Sequence, residues 1–205
     1  EIGKKACFNC PVHCKHVWEI REGRLAGLRG IGMEYFGAGG WGSQCGAQHW
    51  ETILESFTLC NRYGLDVSSS SGYTAWLMEL SQRGIIGKEQ TGGLALEWGN
   101  REAITGLLHQ IAHGEGLGKL LGQGWQAAAK ELGGDAARYM HHVKGLSMEP
   151  DDVRGHKAKL LGMVTATRGA DHLRSRYTIE EFYLPAEHTA KILGRPVPPD
   201  PDSYG

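Results

Sequence analysis

The sequence predicts a mainly α fold with a short hairpin near its amino end. Apolar residues recur at three- and four-residue intervals through most of the chain, as an amphipathic helix requires, whereas strict alternation is confined to one early stretch. Glycine, 31 of 205 residues, stands well above the usual ~7% and falls in short clusters between the patterned segments. Such clusters point to tight loops and close backbone approaches, as around a large cofactor.

The elements follow in order. Residues 1–15 hold a cysteine cluster, and Val17 to Gly32 carry the alternating run WEIREGRLAGL about a glycine turn, which suits a hairpin. From His49 to Tyr63, Trp50, Ile53, Leu54 and Phe57 stand at offsets of 0, 3, 4 and 7 on one helix face, and Gly64 is a natural stop. Tyr73 to Arg83 is helical in pattern and ends at Gly84. After Asn100, a suitable N-cap, Ile104, Leu107, Leu108 and Ile111 form one stripe. The turn HGEG leads to a second helix, in which Leu117, Leu120, Leu121, Trp125 and Ala128 keep the spacing to about Leu132. These apolar residues are expected to be core. From Met140 onward the pattern gives way to loops, HHVKG, EPDDVRG and TRGADHLRSR, whose His, Asp and Arg residues between glycines mark a candidate ligand-binding region. No linker composition interrupts the chain before its Pro-rich end. The expected division is a helical domain over residues 1–139 and, over 140–205, the truncated, loop-rich start of a second helical domain.

With 40% hydrophobic residues the chain can bury a sizeable core. The formal net charge is −1 and no stretch is dominated by Lys or Arg, which argues against a nucleic-acid or membrane-surface binder. No apolar run approaches the ~20 residues needed to cross a bilayer, and the amino end lacks a signal-peptide pattern. A soluble, cytoplasmic protein with small-molecule and protein partners is expected. The chain begins at Glu1 and stops in PVPPDPDSYG, so both ends are expected to be cuts.

Five cysteines, three of them within eight residues, fit metal binding in a reducing compartment better than a disulfide scaffold. The motif is Cys7-Phe-Asn-Cys10-Pro-Val-His-Cys14, or CxxCxxxC. One tight loop can direct three thiolates at an iron–sulfur cluster while a fourth ligand arrives from elsewhere. A zinc site completed by His13 or His16 satisfies the same spacing, so spacing leaves cluster and zinc open. The S-adenosylmethionine radical enzymes space their cysteines CxxxCxxC, the reverse order of gaps.

The runs ACFNCPVHC, GMEYFGAGGWGSQCG, LCNRYGLDVSSSSGYTAWLMEL, VKGLSMEPDDVRG and TATRGADH occur in this order over Ala6 to His172. Together they resemble the aldehyde ferredoxin oxidoreductase family of tungsten or molybdenum bis-pterin enzymes. The resemblance implies helical domains 2 and 3 of that fold, an interior or carboxyl-terminal fragment of a longer oxidoreductase that is inactive in isolation. It implies that Cys7, Cys10 and Cys14 ligate a [4Fe–4S] cluster whose fourth cysteine lies in a DxxGLC motif outside this chain. Cys60 precedes the family's DxxGLD motif and is expected to be buried and inert. That motif, which contacts a pterin and falls in the first domain, reads Asn61-Arg-Tyr-Gly-Leu-Asp66, with an amide for its first acid. Without the family context Asp66 reads as a cap before the serine run. His172 matches a family histidine beside the metal, and Lys144 and Arg168 fall in loops resembling those that contact the pterin. The implied cofactors are the [4Fe–4S] cluster and a tungsten or molybdenum bis-pyranopterin, with Mg a further candidate. The implied partners are ferredoxin or another electron-transfer subunit, an aldehyde or aromatic acyl-CoA substrate, and the remainder of the chain.

Two departures separate rival reactions. The family's PEYE motif reads Met33-Glu34-Tyr35-Phe36, so an aromatic replaces the second acid and Glu34 is the carboxylate left as a candidate acid or base. Cys45, in GSQCG, stands where aldehyde enzymes carry an apolar residue; it is either a tungsten ligand or a small buried thiol. Together they resemble the catalytic subunit of class II benzoyl-CoA reductase. The family's glutamate–histidine pair for an intersubunit metal is half present, Glu55 with Thr58 in place of His, so that iron is not expected. Another class of protein, a zinc-stabilised structural or electron-transfer module, remains the competing expectation.

Overall fold

In a computed structural model, residues 1–174 and 185–196 are described. The alternating stretch after the cysteine motif forms a hairpin and gains a third strand. β1 (Gly3–Lys5), β2 (Lys15–Glu19) and β3 (Arg29–Ile31) make an antiparallel sheet in that order, with Gly3 opposite Val17 and Val17 opposite Ile31. Trp18 lies over Gly30, where any Cβ would overlap its indole ring. The pairing of Lys5 with Lys15 closes residues 6–14 into a loop, so the sheet presents the cysteine motif at one end.

A single helical turn, α1 (Tyr35–Ala38), runs directly into a wide π-helical turn, Gly39–Gln44, built on AGGWGSQ. There the Cys45 N–H donates to Gly40 O at 3.0 Å, an i−5 bond. Such wide turns often mark functional sites. α2 (Trp50–Tyr63) ends at Gly64, whose φ of 68° gives the left-handed cap that glycine tolerates best. α3 (Val67–Gln82) begins six residues earlier than Tyr73, the start expected from apolar spacing. Small residues hid that start: Ser70, Ser71 and Gly72 are buried, so close packing takes the place of an apolar stripe. Asn100 caps α4 (Arg101–His113) as expected, accepting from the Ala103 N–H at 3.0 Å.

The second helix of the pair is two helices, α5 (Gly116–Leu121) and α6 (Trp125–Leu132). They part at Gly122-Gln123-Gly124, where Gly124 takes a φ of 94°. The core gathers Trp41, Trp76, Leu77, Ile104, Leu107 and Leu108 with residues of α5 and α6. Within it Thr74 Oγ1 donates to Ser70 O at 2.8 Å and Trp76 Nε1 to Ala136 O at 2.9 Å, whereas the buried Trp41 Nε1 has no hydrogen-bond partner among the described residues.

By its contacts the chain divides into two compact units, Glu1–His141 and a second from His142 onward. The stretch expected to be loops holds more structure than its composition suggests. β4 (His142–Val143) and β5 (Leu146–Ser147) form a hairpin, and α7 (Lys157–Thr165) and α8 (Ala186–Leu193) follow. Leu161 and Val164 of α7 are exposed, so no amphipathic stripe announced that helix. The last two residues of TRGADHLRSR and the Pro-rich end from Val197 lie outside the described residues. Among the described residues no helix is long and apolar enough to cross a membrane.

Candidate cofactor site

Cys7, Cys10 and Cys14 all sit on the β1–β2 loop as free thiols, Cys7 and Cys14 exposed and Cys10 half-buried. The Cys10 N–H donates to Cys7 O at 3.1 Å, and Asn9 (φ 58°) and His13 (φ 52°) turn the backbone through left-handed conformations. Among the described residues no three His, Cys, Asp or Glu side chains are grouped closely enough to hold a metal ion by themselves. The donor chemistry nonetheless fits a cluster, since three accessible soft sulfurs leave one loop with no competing disulfide. Of the two imidazoles either of which could complete a zinc site, His13 pairs through Nδ1 with Pro11 O and His16 through Nδ1 with Glu1, each at 2.8 Å, which leaves Nε2 as the ring atom that could ligate. Phe8 and Val12 on the same loop are exposed.

Asn61 stands in the last turn of α2, where its Nδ2 donates to Phe57 O at 2.8 Å. It borders a cleft of about 560 Å³ shared with Trp18, Arg29, Phe57 and Arg62. Asp66 is the N-cap of α3 and accepts from the Ser69 N–H at 2.6 Å, which gives it a structural role whatever else it binds. Asn61 and Asp66 thus bracket the α2–α3 turn, a polar pair able to meet the N–H groups of a heterocycle.

Glu34 is exposed and stands immediately before α1. Phe36 packs edge-on to Tyr35, ring centroids 5.5 Å apart. Cys45 is wholly buried, its Sγ donating to Ser71 O at 3.3 Å, and burial pushes its thiol far above the ordinary range. Cys60 is equally buried, and burial pushes its thiol up to about 12. Glu55, half of the family's metal pair, is held by two arginines: Arg101 Nε and Arg24 Nη2 each reach Oε2 at 2.7 Å. Thr58 Oγ1 donates to Leu54 O within its own helix.

In the second unit Lys144 occupies a left-handed position (φ 51°) in the β4–β5 turn and donates from Nζ to Ala166 O at 2.7 Å. Arg168 and Arg174 flank Asp171 at 3.3 and 3.2 Å. Burial alone would raise the Asp171 carboxyl, but the Leu173 N–H and the arginines hold it below the usual carboxylate range. His172 Nδ1 pairs with Glu149, which also meets Lys159 Nζ at 3.3 Å, while Lys159 pairs with Asp151. Sequence reasoning marked EPDD and RGADH as charged loops without singling out Glu149, Asp151 or Lys159. The signal available was three acids within four loop residues; the missing fact was that Glu149 and Lys159 are buried.

A three-cysteine loop and a polar interhelical turn in the first unit, with a carboxylate–imidazole pair in the second, are features of metal- or cofactor-binding enzyme domains. The family model for aldehyde ferredoxin oxidoreductase, domains 2 and 3, matches residues 1–204. The chain therefore belongs to the aldehyde ferredoxin oxidoreductase family, and its fold is that of those two helical domains. It is 32% identical to a tungsten-containing aldehyde ferredoxin oxidoreductase of Pyrococcus abyssi, over 98% of this chain and 31% of the relative. It is 31% identical to the WOR-like subunit of an aliphatic sulfonate oxidoreductase of Pyrococcus furiosus, over 82% of this chain and 28% of that one. Among solved structures it resembles the active-site complex BamBC of benzoyl coenzyme A reductase with 1,5-dienoyl-CoA. The TM-score is 0.61 and the identity 25%, over 73% of this chain and 22% of the other. The chain spans about a third of the length of the curated relatives it matches.

Proposed function

We propose that this chain is part of a cytoplasmic tungsten oxidoreductase in which Cys7, Cys10 and Cys14 bind a [4Fe–4S] cluster that passes electrons to or from a bis-pyranopterin centre. The observation that carries the reading is the match of the family over residues 1–204, with all three cysteines accessible on one loop. When bound, the pterin–metal group supplies the redox chemistry and the cluster the one-electron relay. The chain's own part is to position. Asn61 and Asp66 at the α2–α3 turn, and Lys144 and Arg168 in the second unit, contact the pterin, while His172 exchanges a proton with a substrate oxygen. Glu34 is the carboxylate left to assist. Ferredoxin or another electron-transfer subunit completes the circuit, the remainder of the chain supplies the fourth cluster ligand, and the isolated segment is inactive. The test is elemental analysis of anaerobically purified full-length protein. Tungsten with about four irons is expected; zinc alone would sink the reading.

A second reading concerns the reaction. The likeness to BamBC, with Phe36 in place of an acid and Cys45 at the end of the π-helical turn, supports reduction of an aromatic acyl-CoA as the alternative to oxidation of an aldehyde. Cys45→Ala in the full-length protein separates the two. Loss of tungsten and turnover supports ring reduction, whereas unchanged metal content and turnover remove Cys45 from the argument.

A further inference from the structure

A carboxylate placed in the interior normally loses its charge or finds strong partners, because desolvation of an ion costs several kcal/mol, on the order of 5. The Glu149 side chain is only 3% exposed. Lys159, 5% exposed, meets Glu149 but also pairs with Asp151, so the buried ammonium already has a carboxylate of its own. Two acids thus share this lysine, and Glu149 Oε2 lies against the His172 ring. That ring is 23% exposed and pairs through Nδ1 with Glu149 Oε2. Asp171, beside it in sequence, is taken up by Arg168, Arg174 and the Leu173 N–H, so it does not compete for the imidazole.

We propose that Glu149 is a positioning residue for His172: its buried carboxylate accepts from Nδ1–H, fixes that tautomer and the ring plane, and makes Nε2 the nitrogen through which His172 meets substrate. The hydrogen bond at one ring nitrogen determines the chemistry of the other. A carboxylate at Nδ1 also stabilises the imidazolium formed when Nε2 takes a proton, as in other carboxylate–histidine pairs. The proposal rests on the reading that His172 acts on substrate beside the metal centre. Lys159 meets the Oε1 of Glu149 while His172 meets Oε2, so the imidazole is oriented from a buried carboxylate rather than from an exposed side chain.

The test uses full-length protein. In tungsten-free protein labelled with ¹⁵N-histidine, one imidazole should show a low-field, hydrogen-bonded Nδ1–H that vanishes in His172→Gln and in folded Glu149→Leu. Glu149→Gln keeps an acceptor oxygen without the charge, so the resonance should persist but move upfield. In the loaded enzyme Glu149→Leu should lower kcat by about 10–100-fold, the range of such supporting hydrogen bonds, with KM little changed. The double variant with His172→Gln should be no slower than His172→Gln alone. A resonance that survives Glu149→Leu, or stays unshifted in Glu149→Gln, overturns the proposal, as do multiplicative losses in the double variant. Full turnover in His172→Gln would instead remove the reading of His172 as the reacting group, while the resonance would still report the hold of Glu149 on the ring.

Discussion

The backbone of Gly118 rests directly on the backbone of Gln110, so that a Cβ at Gly118 would overlap the Gln110 carbonyl. This close approach lets α5 fold back on α4, and the Gln110 side chain secures it by accepting from the Leu117 N–H at 3.1 Å. Gly118→Ala must therefore displace a helix, since the obstructing atoms are backbone and cannot rotate away. The expected loss is about 2–3 kcal/mol from overpacking, outweighing the ~1 kcal/mol that alanine gains in helix propensity. Gly122→Ala is the control, because a Cβ there stands 3.4 Å from the nearest atom at an ordinary helical φ of −61°. Thermal unfolding should show Gly118→Ala clearly lowered and Gly122→Ala unchanged or raised; equal behaviour would refute the close approach.

Glu55 ties three segments together, the β2–β3 connection through Arg24, α2 through itself and α4 through Arg101. Arg101 grips it with both Nε and Nη2, at 2.7 and 3.0 Å, whereas Arg24 uses one nitrogen and is 47% exposed. A two-point, half-buried pair is the stronger kind, so Glu55→Gln should cost about 1–2 kcal/mol. Arg24→Ala should cost under ~1 kcal/mol. The Glu55 effect should shrink in high salt, where partly exposed charges are screened. Denaturation midpoints at low and high ionic strength give the comparison, and a larger loss for Arg24→Ala than for Glu55→Gln would contradict it.

Asp66 has two roles that substitution can separate. As N-cap it should lose about 1 kcal/mol on replacement by alanine, while serine or asparagine should retain most of the cap. The proposed pterin contact is more demanding, because a carboxylate accepts on both oxygens whereas an amide offers one acceptor and a donor. Asp66→Asn should therefore preserve the thermal midpoint yet lower pterin occupancy, read by cofactor extraction from full-length protein. Normal occupancy in a stable Asp66→Asn variant would leave the cap as its sole role.

Which parts of this were legible in the sequence follows from how each was encoded. α4 announced itself because its buried face is apolar, and α2 because its apolar residues keep helical spacing, although Trp50, expected in the core, is exposed and Thr52, Ser56 and Cys60 share the buried face with Ile53; their ends carry Asn100, Gly64 and Gly114, whose chemistry is local. The start of α3 was hidden because its buried face is Ser70, Ser71 and Gly72, and the break between α5 and α6 because both halves keep one apolar stripe across Gly122 and Gly124. The cysteine loop was readable from spacing. Glu149 was not, because burial of a charge depends on Lys159 and His172, ten and twenty-three residues further along the chain. Pairings of that kind arise from the tertiary fold and leave no periodicity.

The five cysteines fall into two populations that differ in reactivity. Cys7, Cys10 and Cys14 are open to solvent in the loop, whereas Cys45 and Cys60 have no exposed surface. Burial disfavours the thiolate, the form that attacks alkylating reagents. It pushes Cys60 up to about 12, with the Asp66 charge adding to the effect and a hydrogen bond with Ser70 opposing it. In cluster-free full-length protein near neutral pH, iodoacetamide should label the three loop cysteines quickly and leave Cys45 and Cys60 unmodified until denaturant is added. Peptide mass spectrometry reads each site. The same shift sets a pH dependence. The folded chain holds the Cys60 proton to a higher pH than the unfolded chain, whose thiol ionises near ~8.5. The stabilising contribution is complete below that value and is lost as the pH rises to about 12. Cys60→Ala should flatten the alkaline fall in thermal midpoint, whereas Cys7→Ser should leave it intact. Rapid labelling of Cys60 in the folded protein, or an unchanged alkaline limb in Cys60→Ala, would show that the thiol is not held in the core.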